Sequence, residues 1–237
     1  MNHCLLMMGG VGNRFGADIP KQYVRIDSKP IFLYILKALL EVESIDDVVI
    51  VSNPEWVNFV KRVINRINSK DKAVHVAEGG INRSESVKNG LLFLSGFAAD
   101  DDVVLIHDAT HPYVDTDGIT AVIDAVNEFG GATLGACQYD TCYRINENNM
   151  LVEVIPRQFL VSGASPEAFK FKLINDIYQN AADEELAEMT SAGAIALHNN
   201  IKMKVIPTDV LNLKITYAND MEIFKLLKDS YFFKKGE

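Results

Sequence analysis

The chain has 237 residues, 48% of them hydrophobic and 23% charged, which suits one large α/β domain with a substantial core and argues against disorder. A formal net charge of −9 argues against a nucleic-acid partner, whose phosphates reward basic faces, but leaves room for a small anionic substrate in a locally basic cleft. No apolar run approaches the roughly 20 residues of a membrane helix, and "MNHCLLMMGG" meets glycine too early for a secretory signal, so no membrane partner and a cytoplasmic location are expected.

In chain order, "HCLLMM", "DDVVIVSN", "KAVHVAEG", "DDVVLIHDA" and "ATLGACQ" are short apolar runs in the style of strands buried on both faces. Between them "PIFLYILKALLEV", "EWVNFVKRVINRI", "SESVKNGLLFLSGF" and "DTDGITAVIDAVNEF" carry helical 3–4 spacing, with Pro30 at the first helical position of the earliest. This alternation predicts α/β architecture, a mostly parallel sheet covered by helices. "YDTCYRINENNMLVEVIPRQFLV" breaks it. Two strand-like runs joined by "NENN" predict a β-hairpin arm at about 139–161, projecting from a single domain that spans 1–237. Beyond it come helical "PEAFKFKLINDIYQNA" and "EELAEMTSAGAIALHN", strands "IKMKVIP" and "LNLKIT", and a last helix from about Asn219. Cys4, Cys137 and Cys142 lack metal-finger spacing and read as buried reduced thiols.

The glycine loop "LLMMGGVGNRFGADIPKQY" fits neither common phosphate cradle. A dinucleotide fingerprint from Gly10 and Gly12 needs glycine where Phe15 stands, and no Gly-Lys-Ser/Thr ends the loop. Gly9, Gly10 and Gly12 still let backbone N–H groups approach an anion, and Arg14 and Lys21 add charge there. A tight strand-to-helix turn with surface basic residues is the bland alternative.

"GGVGNRFGADIPKQYVRIDSKPIFLYIL" resembles the signature of the cytidylyltransferases that make CDP-linked polyols, namely the 2-C-methyl-D-erythritol 4-phosphate and ribitol-5-phosphate cytidylyltransferases. "EGGINRSESVKNGL", "HDATHP", "YDT", "SPEAF" and "NLKIT" follow in the family's order and spacing. The resemblance implies a Rossmann-like nucleotidyltransferase domain that transfers CMP from CTP to a polyol phosphate with Mg²⁺ or another divalent cation. It also implies a homodimer through the hairpin arm, and serves either isoprenoid precursors or a CDP-polyol for cell-surface polymer.

Residue by residue, Asp108 follows a buried strand at the carboxyl edge of the sheet, where a carboxylate can hold the cation against phosphate oxygens. Asp209 is a subsidiary metal candidate. "HDATH" mimics a zinc-protease spacing, but a strand precedes it and Pro112 follows, so zinc is rejected. Ser86 stands at a helix start beside Gly79 and Gly80, where the resemblance implies a grip on cytosine; a plain helix cap with Arg83 in solvent is the alternative. By resemblance Lys214 faces the phosphates beside Lys21 and Arg14, while Thr141, Arg157 and Ser165 clasp the acceptor phosphate, a task that suits a bidentate guanidinium and two hydroxyls.

The departures from the family pattern are His111 for an arginine, Glu167 in "SPE" for the glutamine of "TPQ", and Thr190-Ser191 for "TD". Trp56 and the "NLKIT" and "IPR" stretches tilt the expected acceptor toward ribitol 5-phosphate over methylerythritol phosphate; against this, His111, Glu167 and Ser191 depart from both branches. The rivals are a nucleotidyltransferase with another nucleotide and a non-enzymatic nucleotide-binding descendant.

Overall fold

In the computed structural model, which describes residues 1–9, 19–67, 69, 71–189 and 191–232, the chain opens with β1 (Asn2–Met8) at the middle of the sheet. A 3₁₀ turn at Lys21–Tyr23 and the short pair β2 (Arg25–Ile26) and β3 (Lys29–Pro30) lead to α1 (Ile31–Glu41). Then follow β4 (Asp47–Ser52), α2 (Val57–Ile64), β5 (Ala73–Glu78), α3 (Arg83–Leu94), β6 (Val103–Asp108), α4 (Thr116–Phe129) and β7 (Gly131–Cys137). Every strand and helix expected over this half is present. Pro30 stands one residue ahead of the expected place, as the extended residue before the helix.

The arm is the separate hairpin β8 (Cys142–Ile145) and β9 (Leu151–Ile155), paired antiparallel. The chain re-enters the sheet as β10 (Val161–Lys170), continues through α5 (Phe171–Asn180), α6 (Asp183–Glu188), α7 (Ala192–His198) and β11 (Met203–Thr208), and ends in α8 (Ala218–Phe232). Three expectations change here. "PEAFK" is strand, because β10 pairs with both β6 and β7 and the helix starts only at Phe171. The helix expected over 184–199 is broken in two, with Ser191 Oγ accepting from Ala194 N to start α7. "LNLKIT" is not a strand: Asn212 is drawn to Gly163 O and the Ile215 N–H to Thr110 O, so no neighbouring ladder forms.

The seven-stranded sheet runs β5-β4-β1-β6-β10-β7-β11, and only β10 is antiparallel to its neighbours. Alternation along β1 sends Cys4, Leu6 and Met8 into a core with α1 and α4, and Leu5 and Met7 into a second core with α3, α5 and α7. The chain leaves β1 toward β4 on one side and returns to β6 on the other, so the order reverses at β1. A crevice opens there at the carboxyl ends of the strands. Cys4 is buried, but Cys137 is exposed and Cys142 half-buried; all three are free, so the expectation of buried thiols holds for one.

Candidate active site

Gly9 follows β1 and meets the loop after β5. A Cβ on Gly9 would lie 2.3 Å from Ser86 Oγ, so only glycine lets the two segments approach this closely. Asn82 starts α3 by accepting from Glu85 N, and the Glu85 carboxylate reaches back to accept from Ile81 N at 3.0 Å, a reciprocal cap. That cap fixes Ser86 in the first turn, where its Oγ accepts from Gly80 N at 3.0 Å and donates to Asn82 O at 2.7 Å. Gly9, Gly79, Gly80 and Ser86 therefore form one wall. Gly10, Gly12 and Arg14 lie outside the described residues, as does Thr190.

Asp108 ends β6 directly opposite Met7 of β1. Its Oδ1 accepts from Arg83 Nε at 3.2 Å and Nη2 at 3.1 Å, and its Oδ2 accepts from Lys214 Nζ at 2.9 Å. Burial alone would raise the pKa of this carboxyl, but the Arg83 and Lys214 cations hold it well below the usual carboxylate range. Arg83 is not in solvent. The irregular stretch after β11 brings Lys214 here, and Lys21 donates to the neighbouring Ile215 O at 2.5 Å.

Ser165 belongs with this cluster rather than with the arm. A register shift in β10 between Gly163 and Glu167 turns it toward β6, where its Oγ lies 3.4 Å from Asp108 N and 3.0 Å from His111 Nδ1. Burial, with Lys214, His107 and Arg83 nearby, pushes His111 down to about 3 against the pull of Asp108, so this imidazole is neutral where the family pattern has a cation. Thr141 is exposed at the arm's base, and Arg157 donates to Tyr139 O at 2.5 Å; no hydrogen bond among the described residues joins either to Ser165. Asp209 is exposed after β11 and shares no bond with Asp108 among the described residues. His107 lies on a strand with Nε2 3.2 Å from His111 O, so the two histidines share no helical face. Trp56 stacks on Tyr23 at 4.3 Å and 8°, which makes it packing beneath the turn that carries Lys21.

Sequence reasoning missed Arg83 and Glu167 as site residues. The signal for Arg83 was its spacing of three from Ser86, which places both on one helical face.

A family model described as "IspD: 2-C-methyl-D-erythritol 4-phosphate cytidylyltransferase" matches residues 3–227. A Thermotoga neapolitana protein named 2-C-methyl-D-erythritol 4-phosphate cytidylyltransferase is 32% identical over 228 residues, covering 96% of each chain. A Clostridium botulinum protein of the same name is 31% identical over 227 residues, covering 96% of this chain and 99% of its own. Among solved structures, one titled 4-diphosphocytidyl-2C-methyl-D-erythritol synthase superposes with a TM-score of 0.77 at 26% identity, over 96% of this chain and 98% of that one. The fold also matches a structure of that title from Anaerococcus prevotii, with a TM-score of 0.79 at 19% identity, over 96% of this chain and 98% of that one.

Proposed function

The chain belongs to the 2-C-methyl-D-erythritol 4-phosphate cytidylyltransferase family, and from that premise we propose that it transfers CMP from CTP to 2-C-methyl-D-erythritol 4-phosphate, releasing pyrophosphate. The observation that carries the reading is the pairing of Arg83 and Lys214 with Asp108, with Lys21 bonded to Ile215 O one residue beyond Lys214, beside the glycine wall at the strand-order reversal. A phosphate monoester with a second pKa near about 6 is mostly dianionic at neutral pH, so its oxygen attacks the α-phosphorus in line without a general base. A phosphorus–oxygen bond to the acceptor forms as the bond to pyrophosphate breaks. The chain's task is to bring two anions together and to offset the charge growing on the leaving oxygens, which Lys21 and Lys214 are placed to do.

Asp108 fits a divalent cation. Its Oδ1 is filled by two Arg83 N–H bonds, but Oδ2 takes only Lys214 and keeps a lone pair. No group of three or more His, Cys, Asp or Glu gathers among the described residues, so triphosphate oxygens and water would complete the shell, as Mg²⁺ prefers. Bound there, the cation supplies charge neutralisation on the phosphates. The geometry gives Asp209 no support as a second ligand.

For the acceptor, the ribitol-leaning expectation gives way. Both curated relatives carry the methylerythritol name, which favours isoprenoid precursors over surface polymer, and Trp56 is accounted for by packing. A small cleft lined by His111, Ser165, Thr208, Leu211 and Asn212 adjoins the cluster. The arm supports a homodimer: Tyr143, Ile145, Leu151, Val152 and Val154 are all at least half exposed on the hairpin, apolar surface that a second arm would cover. Thr141 and Arg157 would then reach the acceptor phosphate in the partner's site. The deciding measurement is pyrophosphate release with CTP and each polyol phosphate side by side. Methylerythritol phosphate should be preferred by about a hundredfold or more in kcat/KM. Faster turnover of ribitol 5-phosphate would reverse the assignment.

A further inference from the structure

Glu167 lies on β10 opposite Ile106 of β6, with its side chain largely buried. Three N–H groups converge on its two carboxylate oxygens. Oε1 accepts from Gly193 N at 2.7 Å, while Oε2 accepts from Ala192 N at 3.1 Å and from Arg83 Nη2 at 3.5 Å. A glutamine could not satisfy this arrangement, because its single acceptor oxygen would leave an NH₂ facing donors. Arg83 therefore sits between two carboxylates, Asp108 and Glu167, and a planar guanidinium held from two sides cannot swing about its long stem. The same carboxylate ties the start of α7 to β10, while Ser191 caps that helix on its own without touching Arg83.

We propose that Glu167 is a positioning residue of the nucleotide crevice, one that fixes the Arg83 fork against Asp108 by anchoring it to the start of α7. The proposal rests on the cytidylyl-transfer reading for its kinetic consequence but not for its geometry. The test compares E167Q, S191A, R83K and the E167Q/R83K double variant. Two quantities are read: kcat/KM with CTP and methylerythritol phosphate, and hydrogen exchange at the Arg83 Nε–H by NMR in the nucleotide-free protein.

E167Q is expected to lose about tenfold in kcat/KM and to speed Arg83 exchange by a similar factor, while S191A changes neither by more than about twofold. The double variant should be no slower than R83K alone, because Glu167 acts through Arg83. Equal behaviour of E167Q and S191A, an E167Q protein identical to wild type in Arg83 exchange, or full additivity with R83K would each overturn the proposal. E167D, which keeps the charge but cannot span both partners, replaces E167Q if the latter does not fold. Should wild-type protein not turn over these substrates, the reaction assignment fails, and the exchange comparison still decides the role of Glu167.

Discussion

Asp108 answers to more cations than any other described side chain in the crevice, with Arg83 on one oxygen and Lys214 on the other. If it and Lys21 manage phosphate charge, D108N and K21A should each lower turnover by about a hundredfold, or 2–3 kcal/mol of transition-state stabilisation, with the fold intact by circular dichroism. Unchanged turnover in either would remove that residue from the machinery. A second charged cluster lies at the opposite end of β1, where buried His3 touches Asp47 at 2.8 Å and Asp102 at 3.1 Å. Burial depresses the His3 pKa, but the two carboxylates outweigh it and the net shift is upward. A raised histidine contributes stability that is complete below the unfolded value of about 6.5 and is lost as pH climbs through the folded value. Urea midpoints should therefore fall above pH 6.5 more steeply in wild type than in H3Q. Matching pH profiles would show that His3 does not titrate with folding. At this scale local pattern located the ends of β6 and β1 and the start of α3, and with them Asp108, Gly9 and Ser86, whereas Lys214 stands in an irregular stretch where a strand was expected. The sequence did not reveal Ser165 beside Asp108 or Arg83 between two acids, because a register shift in β10 and a contact across 84 residues leave no local trace.

Among elements, the first four strands of the chain's sheet, β1, β4, β5 and β6, were readable because parallel strands buried on both faces are written as continuous apolar runs. β10 was not, since "PEAFKFKLINDIY" carries helical spacing while the slot between β6 and β7 imposes strand pairing on Glu167 through Lys170. Long-range pairing overrode local pattern there, and an unforeseen cap at Ser191 divided the following helix. The docking of α3, which carries Arg83 and Ser86, depends on Gly90. A Cβ at that position would come within 2.8 Å of Val51 and 3.1 Å of Leu5, both on the sheet beneath. G90A should cost about 1–3 kcal/mol by overpacking and, by tilting α3, weaken CTP binding as well. A calorimetric melting point within a degree or so of wild type would mean the helix accommodates the methyl group by sliding.

For the molecule as a whole, the arm decides whether one chain makes one site. Phe159 is 85% exposed and Tyr139 75% exposed, a large apolar surface for a lone subunit to leave in water. If paired arms carry Arg157 to the neighbour, mixing inactive K21A with inactive R157A should restore part of the activity, because each mixed dimer keeps one intact site. A monomer in light scattering, or no recovery after verified subunit exchange, would set the arm apart from catalysis. The sheet that supports it carries a further consequence for synthesis. β6 and β7 never touch; the strand between them, β10, is made after both and after the whole arm. On the ribosome, β1, β4, β5 and β6 can assemble as they emerge, but β7 has no place beside them until Lys170 has appeared. Until then two apolar strand edges stay open while the sticky hairpin is already outside, so the interval of greatest exposure to wrong partners is the few seconds in which residues 138–170 are translated, at roughly 5–20 residues per second.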